Sequence, residues 1–304
     1  MELRHLRCFV AVAEELHFAR AAERLHIEQS PLSRAIRELE EDLGTQLFAR
    51  TTRSTRLTRA GLLFLEHVPR VFAALQQARD SAKAAVNGFQ GQLRVALSDG
   101  IAPSYFSTLL ALCRQEEPEI EIRLFEVPLM QQIKGLSEDL FDVGFAQGDE
   151  GGAGIRAEPV WNDPLMVAMP ARHPLLSFKR LPLDELLRYP LVLGDATVCE
   201  GHARQVDRAL RRSEREPMIV ERVASIDLMM ALVSAGLALG LAGASQISGS
   251  RELGVVSRPL AGRPQMLTTY LLRLNIEPPE ILVRFIKRVN AVESLANTKR
   301  ALST

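Results

Sequence analysis

Apolar residues in positions 1–58 recur at the three- and four-residue spacing of short helices. The first run ends near Leu16, and a second, shorter run covers 18–25. A polar break at 26–29 separates it from a third run. This pattern predicts three short helices with a tight turn between the second and the third.

The third helix has recognisable start and stop signals. Ser30 is suited to be its N-cap with Pro31 at the first helical position, and Gly44 is suited to end it. Its apolar stripe consists of Leu32, Ile36, Leu39 and Leu43. A basic segment follows between Phe48 and Gly61 and is predicted to form a hairpin. It carries Arg50, Arg53, Arg56 and Arg59 and no acidic residue.

Positions 58–87 predict one long helix that Thr58 caps. Thirty residues would span about 45 Å, which is long for a helix inside a small domain. Its apolar residues need a covering surface, for which we expect the same helix of a second subunit. They are Leu65, Val68, Phe72, Leu75, Ala82 and Val86. Pro69 is expected to kink or locally break this helix.

From Gly91 onward, short strand patterns alternate with helical ones, which predicts α/β layers with parallel strands. The predicted strands are 92–98, 121–127, 142–146, 165–170, 190–194, 219–223, 237–242 and 267–274. The predicted helices are 103–117, 129–138, 199–213, 226–235 and 279–295, with a frayed tail after the last.

Charge and composition sharpen this picture. The net charge is zero, 47% of the residues are hydrophobic and 24% are charged, as is usual for a globular protein. The basic hairpin is nevertheless a local patch that can bind phosphate. No apolar run is long enough to cross a membrane, and no signal peptide is recognisable, so we expect a cytoplasmic protein.

The arrangement of a short helix, a turn and a third helix is the one that places a helix in the major groove of double-stranded DNA. Polar residues at the start and on the outer side of the third helix are of the types that bind bases and phosphates. They are Gln29, Ser30, Ser33, Arg34 and Arg37. The acidic residues at its other end, Glu38 to Asp42, would be repelled by DNA, so only the N-terminal half should insert. From periodicity alone, a plain three-helix bundle with a solvated polar face is equally compatible.

The run FARAAERLHIEQSPLSRAIRELEEDLGTQLFAR, continued by Leu57, Thr58, Ala60 and Gly61, resembles the N-terminal domain of the LysR-type transcriptional regulators. Ser30 departs from the family, which often has proline there. The resemblance implies that Gln29, Ser30, Ser33 and Arg34 face the major groove. It also implies that Arg50 and Arg53 belong to the wing, and that the long helix pairs antiparallel with that of another subunit.

The rest of the chain resembles the regulatory domain of this family more loosely. The matches are the segments 92–95, 142–145, 163–165, 170–175 and 232–236. The resemblance implies a two-lobed fold like the periplasmic binding proteins, with a small-molecule effector bound in the cleft and hinge motion linked to DNA binding. The fold class is thus α/β, with an N-terminal winged helix-turn-helix, a long linker helix and a two-lobed effector domain.

The expected domains are 1–58 for DNA binding, 59–88 for the linker, 91–163 with 265–296 for one lobe and 164–264 for the other. The cleft should be lined by strand ends and helix starts. These are Ser98, Asp99, Gly100, Leu129, Phe145, Asp195, Ala196, Thr197, Ser225 and Asp227. Two aspartates facing one cavity would favour a ligand with amine, amide or hydroxyl donors over a bare carboxylate. Alternatively, each aspartate caps the helix that follows it and points away from the cleft.

No motif of an enzyme, a metal site or a cofactor site is recognisable, and we expect none of these. Cys8, Cys113 and Cys199 are far apart in sequence, although Cys199 could act as a redox switch. The family further suggests a dimer of dimers and contact with RNA polymerase. An architectural DNA-binding protein without an effector is the alternative, and its DNA binding would not depend on a small molecule.

Overall fold

A computed structural model describes residues 1–50, 55–98, 100–149, 151–152, 154–250 and 254–301, without the side chains of Arg50 and 294–301. The chain divides into two compact units, Met1–Arg79 and Asp80–Thr304. Predicted site residues Asp99 and Arg53 lie outside the described residues.

The first unit begins with helices α1 (Leu3–Glu15), α2 (Phe18–Leu25) and α3 (Gln29–Leu43), as the periodicity predicts. One apolar cluster joins the three, and its fully buried members include Phe9, Val12, Ala21, Leu32, Ile36 and Leu39. Leu16 and Leu43 are exposed, contrary to their place in the predicted stripes. Both lie at helix ends, where the chain turns away from the core.

The start of α3 differs from the prediction by two residues. The N-cap is Glu28 rather than Ser30, so Pro31 is the third helical residue. Proline is tolerated there because the first four N–H groups of a helix have no intrahelical acceptor to lose. The predicted end is confirmed, since Gly44 caps the helix with φ 65°. Glycine adopts this left-handed conformation at little cost.

The predicted hairpin is present as strands β1 (Phe48–Arg50) and β2 (Thr55–Leu57), which pair antiparallel. Helix α4 (Arg59–Val86) follows, and Gly61 N–H donates to Thr58 Oγ1 over 3.0 Å, as expected of a capping threonine. The helix is continuous through Pro69, so the predicted local break does not occur.

The apolar stripe of α4 is partly covered by its own chain. Val68 is buried in the cluster of the first unit, and Leu65 and Phe72 pack against that cluster. These residues are therefore not the ones that a second subunit would cover. The large apolar side chains that α4 leaves exposed are Leu62, Leu63, Val71 and Val86.

The second unit alternates strands and helices. Its strands are β3 (Gly91–Leu97), β4 (Ile120–Glu126), β5 (Val143–Ala146), β6 (Ile155–Pro170), β7 (Leu191–Gly194), β8 (Ile219–Val223), β9 (Leu239–Gly243), β10 (Val255–Pro259) and β11 (Met266–Leu274). Its helices are α5 (Pro103–Glu116), α6 (Leu129–Ser137), α7 (Leu183–Leu186), α8 (Glu200–Leu210), α9 (Ile226–Ser234), α10 (Ala244–Gly249) and α11 (Glu280–Ala301), with a 3-10 turn at Pro174–Ser177.

These strands follow the order β4-β3-β5-β11-β6-β9-β7-β8, and β10 pairs with β6. Strand β3 is parallel to β4 and β5, and β7 is parallel to β8 and β9. The prediction of parallel strands is wrong for β6, β10 and β11, whose pairs are antiparallel. The chain crosses from one half of the sheet to the other along β6 and returns along β11, so these two strands must run in opposite directions.

Separate cores identify two lobes. Lobe I, with β3–β5, α5, α6 and α11, is built around Val95, Phe145, Trp161 and Phe285. Lobe II, with β7–β10 and α7–α10, is built around Leu193, Val206, Leu241 and Met229. Strands β6 and β11 connect them. The carboxyl ends of the parallel strands of each lobe are the positions from which a cleft residue must come.

Candidate nucleic-acid interface and effector cleft

A tight turn joins α2 to α3. His26 has φ 54°, and Ile27 N–H donates to Ala22 O over 3.0 Å, so the chain reverses within three residues. Apolar contacts then hold both helices on α1. The arrangement leaves the outer side of α3 uncovered by the other described elements of the first unit.

This outer side carries the residues that the sequence predicts for DNA contact. Gln29, Ser30, Arg34 and Arg37 are exposed and Ser33 is half-buried, while Leu32 and the rest of the inner stripe are buried. Within the described part of the chain, Arg34 and Arg37 make no ion pair. Two guanidinium groups on one helix face are thus available to an external acceptor.

The acidic end of α3 is held inside the first unit. Glu38 Oε2 lies 3.2 Å from Nε2 of His5, which is buried on α1. Glu40 Oε1 accepts from the N–H groups of Leu47 and Phe48. This end of the helix therefore contributes to packing within the first unit. That role is compatible with the prediction that it does not enter the DNA groove.

The hairpin that carries the predicted wing is fixed at its base. Thr58 Oγ1 donates to Gln46 O over 2.7 Å, and Thr58 N–H donates to Leu47 O over 2.9 Å. Arg50 ends β1, so its backbone is in the hairpin. Arg53, its predicted companion, is not among the described residues.

On the lobe I side of the cleft, the predicted residues Ser98 and Gly100 follow the carboxyl end of β3. Ser98 N–H donates to Phe145 O over 3.0 Å, and Gly100 has φ 92°. Leu129 is the buried first residue of α6. Ser98, Gly100 and Leu129 thus lie at strand ends or helix starts of one lobe, as expected of cleft residues.

The Phe145 side chain lies in the core of lobe I rather than on a surface. It is fully buried and stacks on Trp161 with ring centroids 4.9 Å apart. Its backbone oxygen accepts from Gln132 Nε2 over 3.1 Å as well as from Ser98. The structure therefore gives its side chain a packing role.

On the lobe II side, Asp195 follows β7 and forms a local hydrogen-bonded turn. Its Oδ1 accepts from Thr197 N over 2.7 Å, from Thr197 Oγ1 over 2.5 Å and from Val198 N over 3.3 Å. The hydrogen bond from the Thr197 hydroxyl is the largest reason that the pKa of Asp195 is lowered. These contacts fix the turn that precedes α8. They do not cap the helix as the capping alternative expects, because its N-cap is Cys199. Ala196 and Thr197 are exposed.

The remaining predicted contacts are at the start of α9. Ser225 is its N-cap, and its hydroxyl accepts from Leu228 N over 3.3 Å. Asp227 is exposed in the first helical turn. The turn after β7 and the start of α9 are neighbours, since Asp195 N–H donates to Val223 O over 2.8 Å.

A buried polar seam joins the two lobes, and sequence reasoning did not find it. Gln147 Oε1 lies 3.0 Å from His202 Nδ1, and Gln147 Nε2 donates to Gly100 O over 2.6 Å. Gln205 donates to the backbone oxygens of Gln147 and Thr268 and accepts from Thr268 N. His202 and Gln147 are 1% and 3% exposed, so the lobes are in direct contact here.

One sequence signal could have indicated Gln147. It directly follows the buried strand β5, at the carboxyl end where a polar residue faces the lobe boundary. His202 and Gln205 carry no such signal, because their role depends on how α8 packs against lobe I.

The described residues contain no group of three or more His, Cys, Asp or Glu side chains arranged to hold a metal ion. The three cysteines are buried and none is in a disulfide within the described part of the chain, and burial raises the pKa of Cys8 and Cys113. Cys199 Sγ donates to Ala224 O over 3.3 Å. None of the helices in the described part of the chain has the length and apolarity needed to span a membrane.

Comparisons with known proteins agree with this architecture. Residues 3–62 match the family model described as bacterial regulatory helix-turn-helix protein, lysR family, and residues 87–291 match the LysR substrate binding domain. The chain is 36% identical over 247 residues to the uncharacterized HTH-type transcriptional regulator YnfL of Escherichia coli (strain K12), covering 81% of this chain and 83% of that protein. It is 32% identical over 247 residues to the HTH-type transcriptional regulator BenM of Acinetobacter baylyi, covering 81% of each chain.

Among solved structures, full-length CbnR in complex with its target DNA superposes with a TM-score of 0.71 at 28% identity, covering 96% of this chain and 100% of that one. The similarity extends through both units, and these relatives are named as regulators of transcription. The chain therefore belongs to the LysR family of transcriptional regulators and has a DNA-binding helix-turn-helix domain and an effector-binding domain.

Proposed function

We propose that this regulator recognises a specific DNA sequence through the exposed side of α3 and the wing. The proposed contacts are Gln29, Ser30, Ser33, Arg34, Arg37, Arg50 and Arg53. The observation that carries the proposal is the pair of arginines on α3, exposed and without an ion-pair partner among the described residues. Arginine binds guanine edges and phosphates in the major groove, and glutamine can pair with adenine.

The effector is proposed to be a small molecule bound between the lobes, with the domain division expected from the sequence. The contacts that we retain are Ser98, Asp99, Gly100, Leu129, Asp195, Ala196, Thr197, Ser225 and Asp227. Phe145 contributes indirectly, because its backbone oxygen holds Ser98. The positions of the described members, at strand ends and helix starts, support this site. Effector binding would change the contact between the lobes and so the DNA-binding geometry.

The assembly is proposed to be a dimer of dimers built on the linker helix. The exposed apolar residues of α4 support an interface there, because apolar area on a helix is stabilised by a covering surface. RNA polymerase is the further proposed protein partner. Because the proposed target is chromosomal DNA, the proposed location is the cytoplasm.

Arg34→Ala tests the DNA interface. We expect its affinity for a duplex selected by the wild-type protein from a random-sequence library to fall by at least tenfold, because one base contact is worth about 1–3 kcal/mol. A dimer loses this contact twice. Fluorescence anisotropy at several salt concentrations measures the affinity, which should also fall steeply with salt because phosphate contacts release counterions.

Arg172→Ala is the matched control, since Arg172 is an exposed arginine after β6 in lobe II. It should retain wild-type affinity. Light scattering should show unchanged assembly for both variants. Equal affinities of Arg34→Ala and the control would contradict the proposed interface.

A further inference from the structure

The chain reverses sharply after α3, and this reversal brings Glu40 against the wing. Gly44 N–H donates to Glu41 O over 3.2 Å, and Thr45 N–H donates to Glu40 O over 3.1 Å. Together with the positive φ of Gly44, this is the hydrogen-bond pattern of a Schellman motif. The following residues therefore run back past the last turn of the helix.

The Glu40 carboxylate then binds the start of the wing directly. Its Oε1 accepts from Leu47 N over 2.9 Å and from Phe48 N over 3.1 Å. Counting its backbone oxygen, Glu40 accepts N–H groups from Thr45, Leu47 and Phe48. Hydrogen bonds donated to a charged carboxylate are stronger than those between neutral groups.

The other side of the same wing segment is tied to α4. Leu47 O accepts from Thr58 N over 2.9 Å, and a Cβ on Gly61 would collide with that oxygen. Phe48 is buried, with its ring 5.4 Å from that of Phe9. The base of the wing is thus held between α3 and the start of α4, and Glu40 supplies the direct link to α3.

We propose that Glu40 is a positioning residue for DNA binding, which sets the wing at a fixed angle and distance from the recognition helix. The inference rests on the proposed function, because it assumes that α3 and the wing contact the same duplex. Glu40 itself does not contact DNA in this proposal. It determines whether arginines on α3 and on the wing reach their grooves at the same time.

The sign of the expected effect separates positioning from simple electrostatics. A carboxylate near the interface repels phosphates, so removal of a negative charge from α3 ordinarily strengthens DNA binding. A positioning role predicts the reverse for Glu40. Glu41 provides the comparison, since it is the exposed neighbour on the same helix and carries the same charge.

The experiment compares Glu40→Ala, Glu40→Gln and Glu41→Ala in the full-length protein, with the duplex selected by the wild-type protein. We expect Glu40→Ala to bind on the order of tenfold more weakly and Glu41→Ala to bind as well as or better than wild type. Glu40→Gln should be intermediate, because its amide oxygen still accepts hydrogen bonds without the charge.

Footprinting gives a second readout that lost stability alone would not produce. Methylation of guanine N7 reports the major groove, and hydroxyl-radical cleavage reports the backbone along the minor groove. At saturating protein, Glu40→Ala should retain the major-groove protection of α3 and lose the protection that flanks it. Thermal unfolding establishes whether Glu40→Ala is folded. If it is unfolded, Glu40→Gln supplies the same comparison of footprints.

Equal strengthening of binding by Glu40→Ala and Glu41→Ala would overturn the inference, as would an unchanged footprint for the folded Glu40 variants. Failure of the wild-type protein to select any duplex would instead contradict the proposed function. The two failures are therefore distinguishable.

Discussion

At the scale of single residues, Asp195 shows how local hydrogen bonds occupy a side chain that the sequence predicts to bind a ligand. Asp195 ends a buried strand, a position that suits a ligand contact. Its Oδ1 nevertheless accepts hydrogen bonds from the Thr197 N–H, the Thr197 hydroxyl and the Val198 N–H. This is an Asx-type turn, in which an aspartate side chain accepts from the backbone two residues further on.

Asp195→Asn tests the structural role of Asp195 in this turn through the pH dependence of stability. The pKa of Asp195 is lowered in the folded protein, so its charge stabilises the fold above the unfolded-state pKa of about 3.9. This contribution is lost as the pH falls through the folded pKa. We expect the variant to be less stable than wild type near neutral pH and the difference to shrink below about pH 4. Urea unfolding at several pH values measures it.

Glu277→Gln, at an exposed carboxylate before α11, is the control and should show no such pH-dependent difference. A purely structural role in the turn further predicts that the DNA response to effector is unchanged in Asp195→Asn. Wild-type stability at every pH, combined with loss of that response, would instead favour the ligand role.

At the scale of elements, the linker helix shows how periodicity finds an apolar stripe without finding what covers it. Leu65, Val68 and Phe72 have the spacing of an intersubunit seam, yet they pack on the core of the first unit. The sequence contains no signal that divides the stripe between a partner and the chain's own helices. That division follows from the packing of α4 against α1 and the wing.

Leu63→Asp combined with Val71→Asp tests pairing between subunits. Both side chains are exposed in the single chain, 52% and 45%, so the substitutions leave the core of the first unit intact. We expect the double variant to dissociate, because unpaired carboxylates would be buried in the interface. Light scattering at micromolar concentration measures the assembly.

Substitution of Leu65 would be less informative, since it would damage the first unit itself. Gln76→Asp adds a negative charge at an exposed polar position of the same helix, about 140° around the helix from Leu63 and Val71, and is the control. A double variant with the oligomeric state of wild type would refute pairing through this surface.

At the scale of the whole molecule, the contact between the lobes depends on a position where only glycine fits. A Cβ on Gly201 would lie 2.5 Å from the carbonyl carbon of Gln147 and from the nitrogen of Gly148. Gly201 is in the first turn of α8, in lobe II, and Gln147 follows β5 of lobe I. The backbones of the two lobes therefore approach each other directly.

Gly201→Ala should weaken this contact. Replacing a helical glycine by alanine ordinarily stabilises a protein by about 0.5–1 kcal/mol, whereas overpacking costs about 1–3 kcal/mol. We expect net destabilisation and faster amide hydrogen exchange in α8 and at the end of β5. Calorimetry and hydrogen exchange of the full chain measure these effects.

Gly249→Ala is the matched control, because nothing lies within 4 Å of the position of its Cβ. It should be neutral or slightly stabilising. If Gly201→Ala is as stable as this control, with exchange unchanged at the lobe boundary, the contact does not hold the lobes together.

The sequence by itself determined the three N-terminal helices, the hairpin, the extent of the linker helix and most strands and helices that follow. Each is encoded locally, by periodicity, by Gly44 and Thr58 at helix ends, or by a short apolar run. It also predicted the face of α3 that carries Arg34 and Arg37, because residues of one helix face recur every three or four positions.

Only the tertiary structure decided which apolar surfaces are covered and which polar groups meet. Three features join residues that are distant in sequence or brought together by a chain reversal. They are the antiparallel course of β6 and β11, the seam of Gln147 with His202 and the link from Glu40 to the wing. The secondary-structure preference of a short segment carries almost no information about such pairings. Such pairings are selected because a buried polar group costs free energy unless it finds a hydrogen-bond partner, and which partner is within reach depends on the whole fold.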